Sequence, residues 1–207
     1  MIFISTGGAI YGEADQIPTP EEYPAWPVSP YGIAKLSVEH YLYYYADQFD
    51  LPSVVLRYAN VYGPRQDPHG EAGVVAIFAQ RLLSNETARI NGDGKQTRDF
   101  IYVGDVAEAN ARALTSDVVG SFNVGTGVET DINAIFQGLK RLSGNNQPEV
   151  HGPALPGEQR RSVVDARKIQ KVMGWRPSTS LEAGLDATVR YFRAASKPPA
   201  VTPAPPA

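Results

Sequence analysis

Tyr31 and Lys35 are four residues apart and could together perform proton transfer. Ser29 and Pro30 precede the pair, and a serine N-cap followed by proline is typical of a helix start. On a helix, this spacing places both side chains on one face, where the ammonium would favour the phenolate and lower the tyrosine pKa from about 10. The pair could then act as a general base. The same spacing on a solvated helix usually has no function, so the interpretation depends on the neighbouring segments.

A strand that ends in small residues precedes this predicted helix. Residues 2–4 are apolar, and Ser5, Thr6, Gly7 and Gly8 follow. The pattern predicts a buried strand whose carboxyl end carries Ser5 or Thr6, and this is the edge at which open α/β sheets bind ligands. The two glycines would let a ligand approach the backbone closely.

The rest of the chain alternates between predicted strands and helices. Residues 53–57 read as a buried strand, and Gly73 leads into an apolar helix whose free N–H groups would suit a diphosphate. Asp105 is predicted to cap the helix of residues 103–114. Predicted strands cover residues 88–94, with a turn, and 121–124; predicted helices cover residues 31–49, 74–83, 103–114, 131–142 and 181–192.

Composition limits the function classes. The 207 residues allow one or two domains, and 43% hydrophobic with 20% charged residues is ordinary for a globular protein. A net charge of −3 gives no support for a nucleic-acid or anionic-membrane partner. The chain has no cysteine, and its three histidines lack metal-ligand spacing, so disulfides and a metal site are not expected. It also lacks a long apolar run or signal-peptide pattern, which predicts a cytoplasmic protein.

Three further segments identify a family resemblance. They are RYANVYGPR at 57–65, GDGKQTRDFIYV at 92–103 and FNVGTG at 122–127. With the strand-end hydroxyl and the Tyr-x-x-x-Lys pair, they resemble the extended short-chain dehydrogenase/reductase family of nucleotide-sugar enzymes, the NAD-dependent epimerases and dehydratases. The resemblance runs from Phe3 to about Phe192 and is strongest to the 4-epimerases.

The resemblance implies an α/β fold that combines a partial Rossmann-like parallel sheet with a small α/β substrate domain. Residues 1–64 would form the remnant of the NAD-binding domain and carry the catalytic motif. Residues 65–196 would mainly bind the nucleotide sugar, with about 95–125 returning to the Rossmann part, and 197–207 are expected to be a disordered Pro/Ala tail. No Gly-x-x-Gly-x-x-Gly motif follows a strand, so the family's amino-terminal NAD-binding part is expected to be missing and the chain alone to bind NAD poorly.

The implied activity is interconversion of UDP-glucose and UDP-galactose through a 4-keto sugar, with NAD as cofactor. Tyr31 would take the proton of the sugar 4-hydroxyl as hydride leaves C4, and Lys35 would assist Tyr31 and hold the nicotinamide ribose. Thr6 is the expected catalytic hydroxyl, with Ser5 as the alternative. The expected cofactor contacts are Ser5, Thr6, Tyr31, Lys35 and Tyr58.

The resemblance also implies a UDP-sugar site. The expected substrate contacts are Gly7, Gly8, Asn60, Gly73, Val74, Arg98 and Glu158, with Arg98 at the diphosphate and Glu158 at the uridine ribose. The family generally has a basic residue where this chain has Leu155, and Arg160 or Arg161 could compensate.

Three alternatives remain open at this stage. A 4,6-dehydratase would need an acid and a base after the catalytic threonine, and residues 7–9 provide neither. The chain could instead be another nucleotide-sugar epimerase or reductase, or an inactive fragment or binding module without cofactor. The resemblance further implies a homodimer through the helix of residues 31–49.

Overall fold

A computed structural model describes residues 1–69 and 73–195. The predicted Pro/Ala tail therefore lies outside the described residues. The strands in this part of the chain are β1 (Ile2–Thr6), β2 (Val54–Tyr58), β3 (Asn60–Tyr62), β4 (Arg89–Asn91), β5 (Thr97–Arg98), β6 (Phe100–Tyr102), β7 (Gly120–Val124), β8 (Thr130–Asp131), β9 (Val150–Gly152) and β10 (Arg161–Ser162). The helices are α1 (Pro30–Phe49), α2 (Val74–Leu83), α3 (Val103–Leu114), α4 (Ile132–Ser143), α5 (Arg167–Met173) and α6 (Leu181–Ala195).

The main sheet is parallel, with β2 between β1 and β7. Thr6 pairs with Tyr58 and Tyr58 with Val124, so the three carboxyl ends lie at one edge. Three smaller sheets, β10-β5-β8, β3-β6 and β4-β9, continue from this edge. The mixed α/β architecture with a parallel sheet confirms the predicted fold class.

Helix α1 begins as the Ser-Pro pattern predicts. The Ser29 hydroxyl accepts a hydrogen bond from the Gly32 N–H at 3.1 Å, and Pro30 is the first helical residue. Gly32 allows close packing, because a Cβ there would lie 2.7 Å from the Ala9 carbonyl oxygen. The start of α1 is thus held against the loop that follows β1.

Helix α1 buries few apolar side chains. Gly32, Glu39 and Leu42 are its buried residues. The aromatic side chains in the second half of α1 instead point outward: Tyr41, Tyr43, Tyr44, Tyr45 and Phe49 are all exposed. The burial of α1 against the sheet therefore depends on a charged residue, Glu39, as much as on Leu42.

Two hydrophobic cores form in different parts of the chain. The first, here called the sheet core, includes Leu56, Phe122 and Trp175 and joins the main sheet to α3 and α5. The second, here called the helical core, includes Phe78 and Phe136 and joins α2, α4 and α6. Each core lies behind one part of the candidate site.

Asp105 is not an N-cap, so this prediction is wrong. Helix α3 begins at Val103 with Tyr102 in the cap position, which places Asp105 in the first turn. The Asp105 carboxylate is buried and accepts hydrogen bonds from Ser178 and from the Thr179 N–H. It connects α3 to the segment before α6 instead of closing a helix end.

No helix in the described ranges is long and apolar enough to cross a membrane.

Candidate active site

The loop after β1 brings together residues predicted to surround a sugar. Gly7 and Gly8 both donate backbone hydrogen bonds to the Tyr58 carbonyl oxygen, at 2.7 and 3.3 Å. A Cβ on Gly8 would lie 3.8 Å from Thr6 Oγ1 and 3.5 Å from Asn60 Oδ1. The strand-end hydroxyl and the Asn60 amide therefore face the same small space, as their placement at neighbouring strand ends predicts.

Tyr31 and Lys35 lie next to each other at the start of α1. Lys35 Nζ lies 5.8 Å from the centre of the Tyr31 ring and donates a 2.8 Å hydrogen bond to the Ile4 carbonyl oxygen. Lys35 makes no ion pair with any residue that the structure describes, so its charge is not neutralised locally. Tyr31 is 57% exposed and opens to solvent at the side of α1.

Beneath this pair lies a group of buried polar residues that the sequence analysis did not identify. Arg57 forms a salt bridge of 2.6 Å with Glu39, and its Nε also donates to both Glu39 carboxylate oxygens. Arg57 donates a second contact to the Tyr11 hydroxyl, which in turn donates to Asn123 Oδ1 at 2.8 Å. Ser5 donates to Glu39 at 2.5 Å. We call Ser5, Tyr11, Glu39, Arg57 and Asn123 the buried network.

Burial and hydrogen bonding have opposite effects on the pKa values of Arg57 and Tyr11 in this network. Burial disfavours the Arg57 cation, but the hydrogen bonds and charge of Glu39 outweigh it and raise the Arg57 pKa. Burial also raises the pKa of the Tyr11 phenol, against the opposing effect of Arg57. Both groups therefore keep their usual protonation state. The sequence offered one signal, since Glu39 follows Lys35 by one further helical turn on the same face.

The buried network distinguishes the two candidates for the catalytic hydroxyl, Ser5 and Thr6. Ser5 is committed to Glu39 in the interior, whereas no described residue makes a hydrogen bond to the Thr6 hydroxyl, which faces Gly8. The geometry favours Thr6 and gives no support for Ser5 as a cofactor contact. The Tyr58 phenol is also engaged, accepting from Asn110 Nδ2 at 2.5 Å, and burial raises its pKa.

Five predicted substrate contacts line one cleft of about 220 Å³, here called the inner cleft. Asn60, Arg98 and Glu158 line it, and Gly73 places the amino terminus of α2 at its wall. Val74 also lines it. Exposed N–H groups at a helix amino terminus attract anions.

Arg98 is held in place by the chain around it. It donates to the Thr97 carbonyl oxygen at 2.8 Å and contacts Glu158 at 3.5 Å. Burial lowers the Arg98 pKa, while the charges of Glu158 and Glu13 oppose this effect. Gln96 also donates to Glu158 at 3.3 Å. The guanidinium and the carboxylate are therefore ready to contact different parts of one ligand.

A second cleft of about 440 Å³, here called the outer cleft, adjoins the first through Val74, Ile132 and Glu158. Arg81, Arg89 and Leu155 line it as well. A cavity of about 530 Å³ lies elsewhere. It lies at the amino-terminal ends of β2 and β7 and contains none of the predicted site residues. Because parallel sheets bind ligands at the carboxyl ends of their strands, the smaller clefts are the better candidates.

The predicted compensation for Leu155 by Arg160 or Arg161 is wrong. Arg160 pairs with Asp93 at 2.9 Å, and Arg161 pairs with Glu129 at 2.7 Å. Neither arginine lines the inner or the outer cleft. Their guanidinium groups are held by surface carboxylates, a pairing that sequence proximity to Glu158 does not reveal.

Comparison with known proteins places this site in a family. A model of the NAD-dependent epimerase/dehydratase family matches residues 1–125. A UDP-glucose 4-epimerase of Mycolicibacterium smegmatis is 45% identical over 195 residues, which are 93% of this chain and 62% of that protein. A putative UDP-glucose 4-epimerase of Methanocaldococcus jannaschii is 42% identical over 93% of this chain and 63% of its own length. The chain thus spans less than two thirds of these relatives.

Solved structures give the same result. The UDP-glucose 4-epimerase of Thermotoga maritima, solved with UDP-glucose, is 50% identical with a TM-score of 0.93 over 95% of this chain and 64% of that one. The Thermus thermophilus UDP-glucose 4-epimerase in complex with NAD is 46% identical with a TM-score of 0.88, covering 94% of this chain and 64% of that one.

Proposed function

Because the chain belongs to the NAD-dependent epimerase/dehydratase family, we propose that it carries the catalytic and UDP-sugar-binding part of a UDP-glucose 4-epimerase. The observation that carries the proposal is the inner cleft. It gathers Asn60, Gly73, Arg98 and Glu158 from distant parts of the chain around one space. Relatives of 42 to 50% identity that are named as UDP-glucose 4-epimerases add support.

The proposed substrate is UDP-glucose or UDP-galactose. Arg98 and the amino terminus of α2 at Gly73 bind the diphosphate by charge-assisted and backbone hydrogen bonds. Glu158 accepts hydrogen bonds from the uridine ribose, and Asn60 lies toward the sugar. Gly8 leaves room for the hexose, because a side chain there would project toward Thr6 and Asn60. Gly7 lets the loop pack closely, because a Cβ there would lie 2.6 Å from the buried Val164.

The proposed chemistry removes and restores one proton at the sugar 4-hydroxyl. Tyr31 accepts that proton, Thr6 hydrogen-bonds the same oxygen, and Lys35 holds a positive charge beside the Tyr31 ring. NAD, when bound, would accept the C4 hydrogen reversibly as a hydride. After the 4-keto sugar has rotated in the site, so that the hydrogen returns to the other face of C4, Tyr31 gives the proton back to the C4 oxygen. The configuration at C4 is then inverted.

The residues of this chain fit one end of NAD. The Lys35 ammonium lies beside Tyr31, donates to the Ile4 carbonyl oxygen and makes no ion pair with a described residue, so it can also donate to the nicotinamide ribose. The sequence contains no Gly-x-x-Gly-x-x-Gly turn to hold the pyrophosphate. Weak NAD binding by the 207-residue chain is therefore the expected outcome.

A domain division and a dimer belong to the same proposal. The sheet core and the helical core support a catalytic part and a nucleotide-sugar part, and the sheet core also includes residues from α3 and α5. The exposed Tyr41, Tyr43 and Phe49 on α1 support a homodimer through that helix. A cytoplasmic location remains a prediction.

The test separates binding from chemistry. Calorimetric titration with UDP-galactose measures binding, and product analysis with UDP-galactose, UDP-N-acetylglucosamine and UDP-glucuronic acid measures turnover and sugar preference with NAD added. Tyr31→Phe is expected to lower turnover by about 10²-fold or more with little change in binding, since it removes a proton acceptor.

Arg98→Gln should have the opposite effect and weaken UDP-galactose binding. A wild-type chain that binds no UDP-sugar would overturn the proposal. A chain that binds UDP-galactose but never turns it over with added NAD would restrict the proposal to substrate binding.

A further inference from the structure

We propose that Gln159 is a positioning residue, which holds the loop of residues 7–12 at the sugar end of the site when a nucleotide binds. The inference rests on the proposed function, because it assumes that Glu158 contacts the ligand. It concerns a glutamine that lines neither the inner nor the outer cleft. None of the sequence motifs described above contains this residue.

Gln159 joins two segments that are far apart in the chain. Its Nε2 donates a hydrogen bond to the Gly12 carbonyl oxygen, 147 residues earlier. The residue before it, Glu158, lines both clefts and contacts Arg98 at 3.5 Å. The side chain that holds Gly12 is therefore the immediate neighbour of the proposed ribose contact.

Gly12 lies where the loop after β1 meets the segment that leads into α1. Its φ is 63°, and a Cβ there would overlap the Trp26 carbonyl oxygen, so the two backbones are in close contact. Pro27 follows and packs against Gly32 in the first turn of α1, where a Cβ would lie 2.8 Å from the Pro27 Cβ. A shift of Gly12 would thus reach the start of the helix that carries Tyr31.

The other end of the same loop is held by a strand. The Ser162 hydroxyl donates to the Gly8 carbonyl oxygen at 3.3 Å, and the Asp99 N–H donates to the Ser162 carbonyl oxygen at 2.9 Å. Ser162 therefore anchors Gly8 to β10 and its neighbours. Gln159 lies two residues before β10 and takes no part in the pairing of β10 with β5. The contact that can respond to a ligand is thus the one at Gly12.

The end of the loop also lies close to the proposed diphosphate contact. Glu13 follows Gly12, and its charge acts on the Arg98 guanidinium, whose pKa it raises against the effect of burial. A bound diphosphate would repel this carboxylate, since like charges at short range repel. The loop therefore needs a contact that keeps it in place when the ligand is bound.

These contacts couple nucleotide binding to the position of the loop. A ribose held by Glu158 orders the backbone of residues 158 and 159, which strengthens the hold of Gln159 on Gly12. Because Gly8 belongs to the same loop, the space for the hexose beside Thr6 is then fixed. The coupling should be about fivefold, the effect of one neutral hydrogen bond.

Hydrogen–deuterium exchange of the 207-residue chain, with and without saturating UDP, tests the coupling. UDP lacks the hexose, so it does not cover the loop directly. In wild type, UDP should slow exchange of the backbone amides of residues 9–14 by about fivefold. Gln159→Met keeps the length of the side chain and removes the donor. This variant should lose the protection of residues 9–14 and keep that of the amides at the start of α2 and around Arg98.

Gln147→Met is the matched control. Gln147 Nε2 also donates to a backbone carbonyl oxygen, that of Asn85, but Gln147 lines neither cleft. The exchange pattern of Gln147→Met with UDP should equal that of wild type. Calorimetric titration gives the UDP concentration that saturates each variant, and urea unfolding checks that the fold is retained.

The proposed function fails separately. If the wild-type chain binds no UDP, both proposals fall. If UDP binds and protects the amides around Arg98 but leaves residues 9–14 unchanged, only the role of Gln159 is rejected. Retained protection of residues 9–14 in Gln159→Met leads to the same rejection.

Discussion

The two sides of the candidate site use charged residues in different ways. Beneath α1, Glu39 and Arg57 are buried, with side chains 7 and 10% exposed, and contact each other and polar neighbours. Outside the clefts, the pairs Arg160–Asp93 and Arg161–Glu129 lie at the surface, and Arg89, which lines the outer cleft, is exposed. The buried charges fix one helix against the sheet, whereas the exposed pairs join segments at the surface.

The difference teaches where rigidity is needed. Tyr31 and Lys35 lie on α1, and the turn that contains Glu39 follows Lys35 directly. A misplaced α1 would move both side chains relative to Thr6, and small displacements of catalytic groups are costly. Arg98, the proposed diphosphate contact, is instead positioned by a backbone hydrogen bond and a 3.5 Å contact with Glu158.

Breaking the buried pair should have the largest effect. Arg57→Met leaves the Glu39 carboxylate buried without its partner, and the free energy of unfolding should fall by about 3–5 kcal/mol. Urea unfolding followed by circular dichroism measures it. The double variant Glu39→Leu with Arg57→Met should recover much of the loss, because no unpaired charge remains.

Arg160→Met is the surface counterpart of that experiment. It breaks an exposed pair, so its unfolding midpoint should match that of wild type. If Arg57→Met and Arg160→Met destabilise the chain equally, the contrast between the two regions is lost.

Removing a buried carboxylate that has neutral partners should have an intermediate effect on the free energy of unfolding. Asp105→Ala leaves the Ser178 hydroxyl and two backbone N–H groups without their acceptor and should lower the free energy of unfolding by about 1–3 kcal/mol. Glu108→Ala, on the same helix, removes only an exposed pair with Arg112 and should have a much smaller effect. Equal effects would show that burial does not determine the strength of these contacts.

The smallest effect is expected at His151, near the outer cleft. Its contacts with Glu149 and with the Gly92 carbonyl oxygen raise the His151 pKa. The folded state therefore binds this proton more tightly than the unfolded state. The stabilisation is complete below about pH 6.5, the unfolded value, and disappears as pH rises through the raised pKa.

Urea midpoints of wild type and His151→Gln should accordingly differ slightly at pH 6 and converge once the pH has passed the raised pKa of His151. An NMR titration of His151 gives its pKa directly. A difference that grows with pH would contradict the assigned contacts.

Local signals predicted much of the fold and part of the site. Ser29 and Pro30 located the start of α1, and Gly73 located the start of α2, because caps act within a few residues. The cap signal failed at Asp105, since an aspartate can serve either its own helix or a distant segment. The short helix α5 was not predicted, because seven residues provide little periodicity.

Long-range pairings could not be predicted in the same way. Arg57 and Glu39 belong to different elements, and no local pattern shows that an arginine within a β-branched strand meets a glutamate of α1. The ion pairs of Arg160 with Asp93 and of Arg161 with Glu129 likewise depend on tertiary structure. Sequence motifs identified the residue types of the site, while the orientation of Ser5 away from Thr6 required coordinates.

The order of the strands in the main sheet has a consequence for how the chain reaches its native state. The middle strand β2 pairs with β1 and β7, and each partner is more than fifty residues away in the chain. Bringing β1 to β2 and β2 to β7 therefore closes two long loops, and each closure costs conformational entropy before the three strands can pair. Refolding from urea should be slow for a domain of this size, and a ribosome must release β7 before the sheet can close.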